Sequence, residues 1–206
     1  MVIVNTGNLF IVSAPSGAGK TSLAKALIAS SEFITMSVSH TTRTKRGGEV
    51  HGEDYFFVDQ SEFQQMVEEG VFLEYAEVYG NYYGTSSLAV DEMLTKGLNV
   101  LLDIDWQGAR RVRKKMPDAV SISVLPPSIE ELERRLRSRG SDSEDVIQSR
   151  MQQALSEMAH CKESDFAVLN DDFNTALSEL SLIVAGQGDR IRPLNSHVRS
   201  LMGIVE

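Results

Sequence analysis

The chain has almost no cysteine. Cys161 is the one thiol among 206 residues, so an internal disulfide framework is excluded. Histidine is scarce as well: four residues are scattered along the sequence, too few and too dispersed for the clustered ligands of a zinc site. No apolar run approaches the roughly 18 residues that a transmembrane helix requires. The opening MVIVNTGNLF has no basic segment ahead of a long apolar run, so no signal peptide is expected and a reducing, cytoplasmic setting is. Positive charge is also short. Lys and Arg number 20 against 29 Asp and Glu, and the formal net charge of −9 argues against a general nucleic-acid or membrane surface. Any anionic ligand must then be met by cations concentrated locally. Repeats and low-complexity tracts are lacking, and 42% hydrophobic with 24% charged residues describes one globular core with room for an insertion.

Apolar, β-rich runs alternate with amphipathic helical patterns, the arrangement of parallel strands joined by helical crossovers in an α/β sheet. Five runs read as buried strands: LFIVSA (9–14), ITMSVS (34–39), NVLLDI (99–104), VSISVL (120–125) and FAVLN (166–170). Between the second and third the texture changes. DYFFV (54–58) precedes a helix opened by Asp59 with Glu62 three residues on, and FLEYAEVYGNYYGTS (72–86) carries a Gly-Asn turn signal. Residues 40–86 therefore read as an insertion of short antiparallel strands. A helix after Ser87 ends at Gly97, and Ser128 opens another in which Glu131 can complete a capping box. Residues 128–160 are charged and helical. The tail after about Gly186 shows weak periodicity, which leaves partial mobility open.

A phosphate-binding loop follows G-x-x-x-x-G-K-[ST] between a strand and a helix, so that backbone N–H groups and the helix N-terminus surround the phosphates. SAPSGAGKTS (13–22) departs from this where Ala14 stands for the first glycine. Pro15, Ser16, Gly17 and Ala18 fill the variable positions, and Gly19, Lys20 and Thr21 the fixed ones. Alanine is tolerable at position 14 if no positive φ is needed there. Lys20 would bring a point charge to the β- and γ-phosphates of ATP, and Thr21 a hydroxyl to Mg2+. LLDID ends an apolar strand with Asp103 and Asp105 two residues apart, so both project to one side at the strand's carboxyl end, where ligands bind in open α/β sheets. Asp103 is assigned to Mg2+, directly or through water; the alternative is that these carboxylates cap a helix starting near Trp106. Asp105 also opens DWQG, a short match to the D-x-x-G of switch GTPases.

In SHTTRTKRGGEVHGEDYFF the cations Arg43, Lys45 and Arg46 lie beside two glycines in an otherwise acidic chain. A solvated basic loop is one reading. The surrounding hydroxyls of Ser39, Thr41, Thr42, Tyr55, Tyr82 and Tyr83 favour another, a second phosphate site built on guanidinium forks.

SHTTRTKRGGEVHGEDYFFV, FLEYAEVYGNYYGTS, LLDIDWQGA and LPPSIEELERRLRSRG follow the loop in that order, and together they resemble the bacterial guanylate kinases over about residues 8–185. The resemblance implies an α/β P-loop fold with a five-stranded parallel core sheet flanked by helices, an inserted subdomain of short antiparallel strands that binds GMP, and a helical lid. As one guanylate-kinase-like domain, the core would be about 8–39, 87–126 and 160–186, the insertion 40–86, the lid 127–159 and the tail 187–206. Arg43, Arg46, Tyr55 and Tyr83 would hold the GMP phosphate; Ser39, Glu74 and Thr85 would read the guanine, with Asp105 also assigned to GMP. Guanine presents N1–H and an N2 amino group as adjacent donors, which one carboxylate accepts together. Adenine has an acceptor at N1 and no N2 amine, so Glu74 would discriminate against it.

Arg135 and Arg139 are four apart on one helical face and Arg150 follows in the next helical segment; Glu131 is spaced to pair with Arg135, as on any solvated helix. The resemblance turns the three into lid arginines that close over the transferring phosphoryl group and, with Lys20 and Arg43, carry catalysis. It also brings Asn170, in LNDD at the end of the last strand, toward the adenine or ribose of ATP. The implied reaction transfers the γ-phosphoryl group of Mg-ATP to GMP, giving ADP and GDP. ATP and GMP are the partners, with dGMP open as a further acceptor and a homo-oligomer open as the assembly; no nucleic acid or membrane is expected. The rivals are a switch GTPase, which gains from DWQG but lacks an N-K-x-D motif, a non-catalytic guanylate-kinase-like binding module, and a kinase for another nucleoside monophosphate.

Overall fold

The apolar run LFIV sets the first strand, four of whose five residues are buried in the computed structural model, which describes residues 6–78, 80–138 and 144–201. In chain order the elements are β1 (Leu9–Ser13), α1 (Lys20–Ala29), β2 (Ile34–Met36), β3 (His40–Thr41), β4 (Phe56–Phe57), α2 (Gln60–Glu68), β5 (Phe72–Val78), β6 (Asn81–Ser86) and α3 (Ser87–Thr95). They continue as β7 (Asn99–Asp103), α4 (Trp106–Lys115), β8 (Val120–Leu125), α5 (Ile129–Ser138), α6 (Glu144–His160), β9 (Phe166–Leu169), α7 (Phe173–Val184) and α8 (Ser196–Leu201).

The five expected strands form one sheet, in the order β2-β7-β1-β8-β9. The pairs β2–β7, β1–β8 and β8–β9 are parallel, which is why these strands read as continuous apolar runs: parallel strands are covered on both faces. β8 spans its whole apolar run, and the other four strands end short of theirs. The largest difference is β2, which stops at Met36 where sequence suggested 39; after Ser37 donates its N–H to the Leu101 carbonyl, the chain leaves for the second sheet.

That second sheet has the order β4-β3-β6-β5. β5–β6 and β3–β6 are antiparallel, as expected of the insertion, while the two-residue edge strand β4 runs parallel to β3. Gly80, at φ 72°, provides the left-handed residue of the β5–β6 hairpin. Asp59 caps α2 by accepting the Glu62 N–H at 2.8 Å. Ser128 caps α5 in the same way at 3.1 Å, but the other half of the capping box is absent, because the Glu131 carboxylate turns to Arg134 and Arg135.

Contacts divide the chain into two compact units. One is built mainly from Phe33–Leu102 and Gln107–Ala119, the other from Phe10–Glu32, Asp103–Trp106 and the residues from Val120 onward. In the second unit the tail carries a 3-10 turn at Gly188–Arg190 and then α8, whose Val198 is buried with Leu125 and Cys161. Among the described residues no helix is long and apolar enough to cross a membrane.

Ile122, fully buried in β8 between β1 and β9, tests the core directly. Ile122→Ala is expected to lose about 2–5 kcal/mol, read as a lower urea midpoint at unchanged slope.

Candidate functional site

The segment from Ala14 to Thr21 leaves the carboxyl end of β1 and enters α1. Gly17 (φ 96°) and Gly19 (φ 97°) supply its two left-handed residues, conformations that side chains resist. A methyl on Gly19 would also strike the Asn170 amide nitrogen, and one on Gly17 would lie 3.0 Å from Leu132. Pro15 O accepts the Ala18 N–H at 3.0 Å, which tightens the loop. Gly19 is the N-cap of α1 and offers no side-chain cap, so the helix meets an incoming anion with its positive end.

Lys20 points its ammonium at the end of β7, 2.5 Å from an Asp103 oxygen and 3.4 Å from the Ile104 carbonyl. The structure therefore brings together the two elements that the sequence separated by more than eighty residues. Thr21 is exposed one position along α1. Asp105 lines a small cavity beside the loop with Ser13, Ala14, Trp106, Glu157, His160 and Cys161.

Arg135 reaches the same loop from α5. Its Nη1 donates to the Ala18 carbonyl at 3.4 Å, Nη2 to the Asn170 carbonyl at 3.0 Å, and Nε to Glu131 at 2.8 Å. Arg134 first, and then Arg135, hold the Glu131 carboxyl down at about 2. Asn170 is buried, and its side-chain amide donates to Ala18 O at 2.7 Å, so it braces the loop. Arg150 is half-buried on α6. Arg139 lies outside the described residues.

The first unit carries the other set. β5 and β6 pair Glu74 with Thr85 in register, and Thr85 donates its hydroxyl to Glu74 Oε1 at 2.7 Å; both are buried. The register joining His40 to Gly84 runs on toward Ser39 and Thr85, which brings the three expected base-reading residues to one end of the sheet. Arg43 stands over the Tyr55 ring at 5.4 Å, and the Tyr55 and Tyr83 rings meet edge to face at 6.0 Å. Arg46 is on the same loop as Arg43.

Sequence reasoning missed two carboxylates. Glu49 accepts Arg43 Nη2 at 2.6 Å and the Arg46 N–H at 2.8 Å, and the Arg43 bond holds its pKa below the usual range. Its signal was faint: one acid three residues past Arg46 in a loop with no periodicity. Glu157 lines the small cavity beside the loop with Ala14; burial pushes its pKa up, with the Lys20 ammonium opposing. Its spacing of seven from Arg150 puts both on one face of α6, a signal that was available.

The guanylate kinase family model matches residues 6–187. The guanylate kinase of Yersinia pestis bv. Antiqua is 57% identical over 188 residues, 90% of each chain, and that of Escherichia coli K12 is 56% identical over the same share. The crystal structure of guanylate kinase from Anaplasma phagocytophilum superposes with a TM-score of 0.74 at 35% identity, covering 98% of both chains.

Glu157 also sets a pH test. A carboxyl whose pKa is higher folded than unfolded binds its proton more tightly in the native state, so stability is lost as pH rises from the ordinary 4.5 through the raised value. Glu157→Gln removes that loss while keeping the side chain's size and an acceptor oxygen. Urea unfolding at about pH 4 and about pH 7 is expected to show the variant gaining on the parent at the higher pH. An equal difference at both would contradict the shift.

Proposed function

The chain belongs to the guanylate kinase family, and from that premise we propose how its residues transfer the γ-phosphoryl group of ATP to GMP. The activity follows the family: ATP and GMP are the substrates, ADP and GDP the products. Neither the switch-GTPase nor the non-catalytic reading draws support from these relatives.

ATP lies on the loop 14–21, its phosphates against the backbone N–H groups and the N-terminus of α1. Lys20 exchanges Asp103 for the β- and γ-phosphates. Thr21 and Asp103 offer oxygen donors at the loop and the strand end, a set that suits Mg2+, with Asp103 acting directly or through water. Held by those oxygens, Mg2+ would supply neutralisation of the phosphate charge. Asn170 holds the loop's shape through Ala18 O.

GMP lies on the first unit. Arg43, Arg46, Tyr55 and Tyr83 take its phosphate, which displaces the Glu49 carboxylate. Glu74 accepts N1–H and the N2 amine, and the hydroxyls of Thr85 and Ser39 donate to O6, with Asp105 assisting the acceptor. The observation that carries the guanine reading is the buried Glu74–Thr85 pair, an acceptor and a hydroxyl side by side in strand register. A carboxylate so buried matches a base that offers two donors and repels one that offers an acceptor.

A GMP phosphate oxygen attacks the γ-phosphorus in line as the bond to the β–γ bridging oxygen breaks, and ADP leaves. The attacking group is already ionised at neutral pH, so no general base is needed and no covalent enzyme intermediate forms. Catalysis is positioning and charge stabilisation by Lys20, Arg43 and the lid residues Arg135, Arg139 and Arg150, whose closure keeps water from the γ-phosphate. A cytoplasmic setting suits nucleotide substrates and a single thiol that burial pushes up to about 11.

A coupled ADP assay with GMP, dGMP, AMP and UMP tests this reading. GMP is expected to turn over, with AMP and UMP nearly inert; equal turnover of AMP and GMP would sink the guanine assignment. Lys20→Ala should lower kcat on the order of a hundredfold or more with every acceptor. Glu74→Gln should instead cut the GMP-over-AMP preference by at least about tenfold.

A further inference from the structure

The turn that carries Asn170 is gripped from two sides. On the loop side Asn170 donates its amide to Ala18 O, receives Arg135 Nη2 on its own carbonyl, and donates its N–H to Leu125 O at 2.8 Å. On the other side stands Arg192, beyond the 6–187 span of the family model. Its Nη2 donates to the Leu169 carbonyl at 3.2 Å, and its two terminal nitrogens reach the two Asp171 oxygens at 3.2 Å each. Residues 169 and 171 are thus tied to the tail, and residue 170 between them to the phosphate loop.

Arg192 is itself fixed. Glu179, on α7, accepts Arg192 Nε at 2.6 Å and the Arg192 backbone N–H at 3.0 Å, and its side chain is only 7% exposed. A guanidinium spans three acceptors in one plane, which an ammonium does not. Leu194 and Val198 pack beside it against Leu125 and Leu169, so the segment is seated by apolar contact as well as charge.

We propose that Arg192 is a positioning residue of the ATP half-site: by clamping Leu169 and Asp171 it sets the place of Asn170, and through Ala18 O the shape of the phosphate loop. This rests on the reading that ATP binds that loop. The tail then belongs to the donor site although it touches no substrate.

Steady-state kinetics and ADP titration calorimetry on the full chain test this. Arg192→Ala is expected to raise KM for ATP and Kd for ADP on the order of tenfold, short of the roughly hundredfold that a full ångström of misplacement costs, and to leave KM for GMP within about twofold. Arg192→Lys, which keeps the charge without the fork, should fall near the alanine variant. Asn170→Ala combined with Arg192→Ala should cost less than the sum of the two, because both act on one contact. A purely structural anchor would lower Tm and leave KM for ATP and Kd for ADP at parent values, and that result overturns the proposal. If Arg192→Ala does not fold, Asp171→Asn, which leaves the buried Glu179 its partner, must raise KM for ATP, and an unchanged value is equally fatal. Loss of GMP phosphorylation in the parent chain would instead defeat the functional reading, which the same assay reports separately.

Discussion

Two polyanions have to be bound by a chain of net charge −9, and the structure seats the three cations proposed to meet them against carboxylates. Lys20 rests on Asp103, Arg43 on Glu49 and Arg135 on Glu131, at 2.5, 2.6 and 2.8 Å. An ion pair that is partly open to solvent is worth little, about 0–1 kcal/mol, so exchanging a carboxylate for a phosphate is a shallow step. Each carboxylate also holds its cation in place before the nucleotide arrives. In the proposed exchange, release of Lys20 would also free an Asp103 oxygen at the strand end.

The guanine reading depends on strand register in a similarly economical way. Glu74 and Thr85 meet because β5 and β6 pair them, and the irregularity between Phe72 and Glu74 fixes which side of the sheet each residue faces. A one-residue slip would send both side chains to the opposite face. Gly84 helps hold that register, because a methyl there would lie 2.8 Å from the Phe72 ring.

Much of this was legible in the sequence wherever a local rule governed it. The five apolar runs gave the five strands, Asp59 and Ser128 announced their helices, and the Gly-Lys-Thr start of α1 marked the phosphate loop. What stayed hidden was long-range. Nothing near Asn170 says that its amide will meet Ala18, 152 residues earlier, and nothing near Arg192 points to Glu179 and Leu169. Among its described residues the weakly periodic tail is held by the Arg192 guanidinium and by Leu194 and Val198, contacts that periodicity does not detect. Glu131 illustrates a local rule overridden: it had the spacing of a capping box, and two arginines won its carboxylate because a charged bond is stronger than one to a backbone N–H.

Trp106 is the chain's one tryptophan, and its indole lies flat on the His160 ring with centroids 3.7 Å apart, in the wall of the cavity that also contains Ala14, Asp105 and Glu157. Indole emission from this molecule therefore originates at a single point, beside the proposed donor half of the site and in contact with the His160 ring. The molecule carries its own optical probe of that half, with no label to attach and no second fluorophore of its kind to subtract.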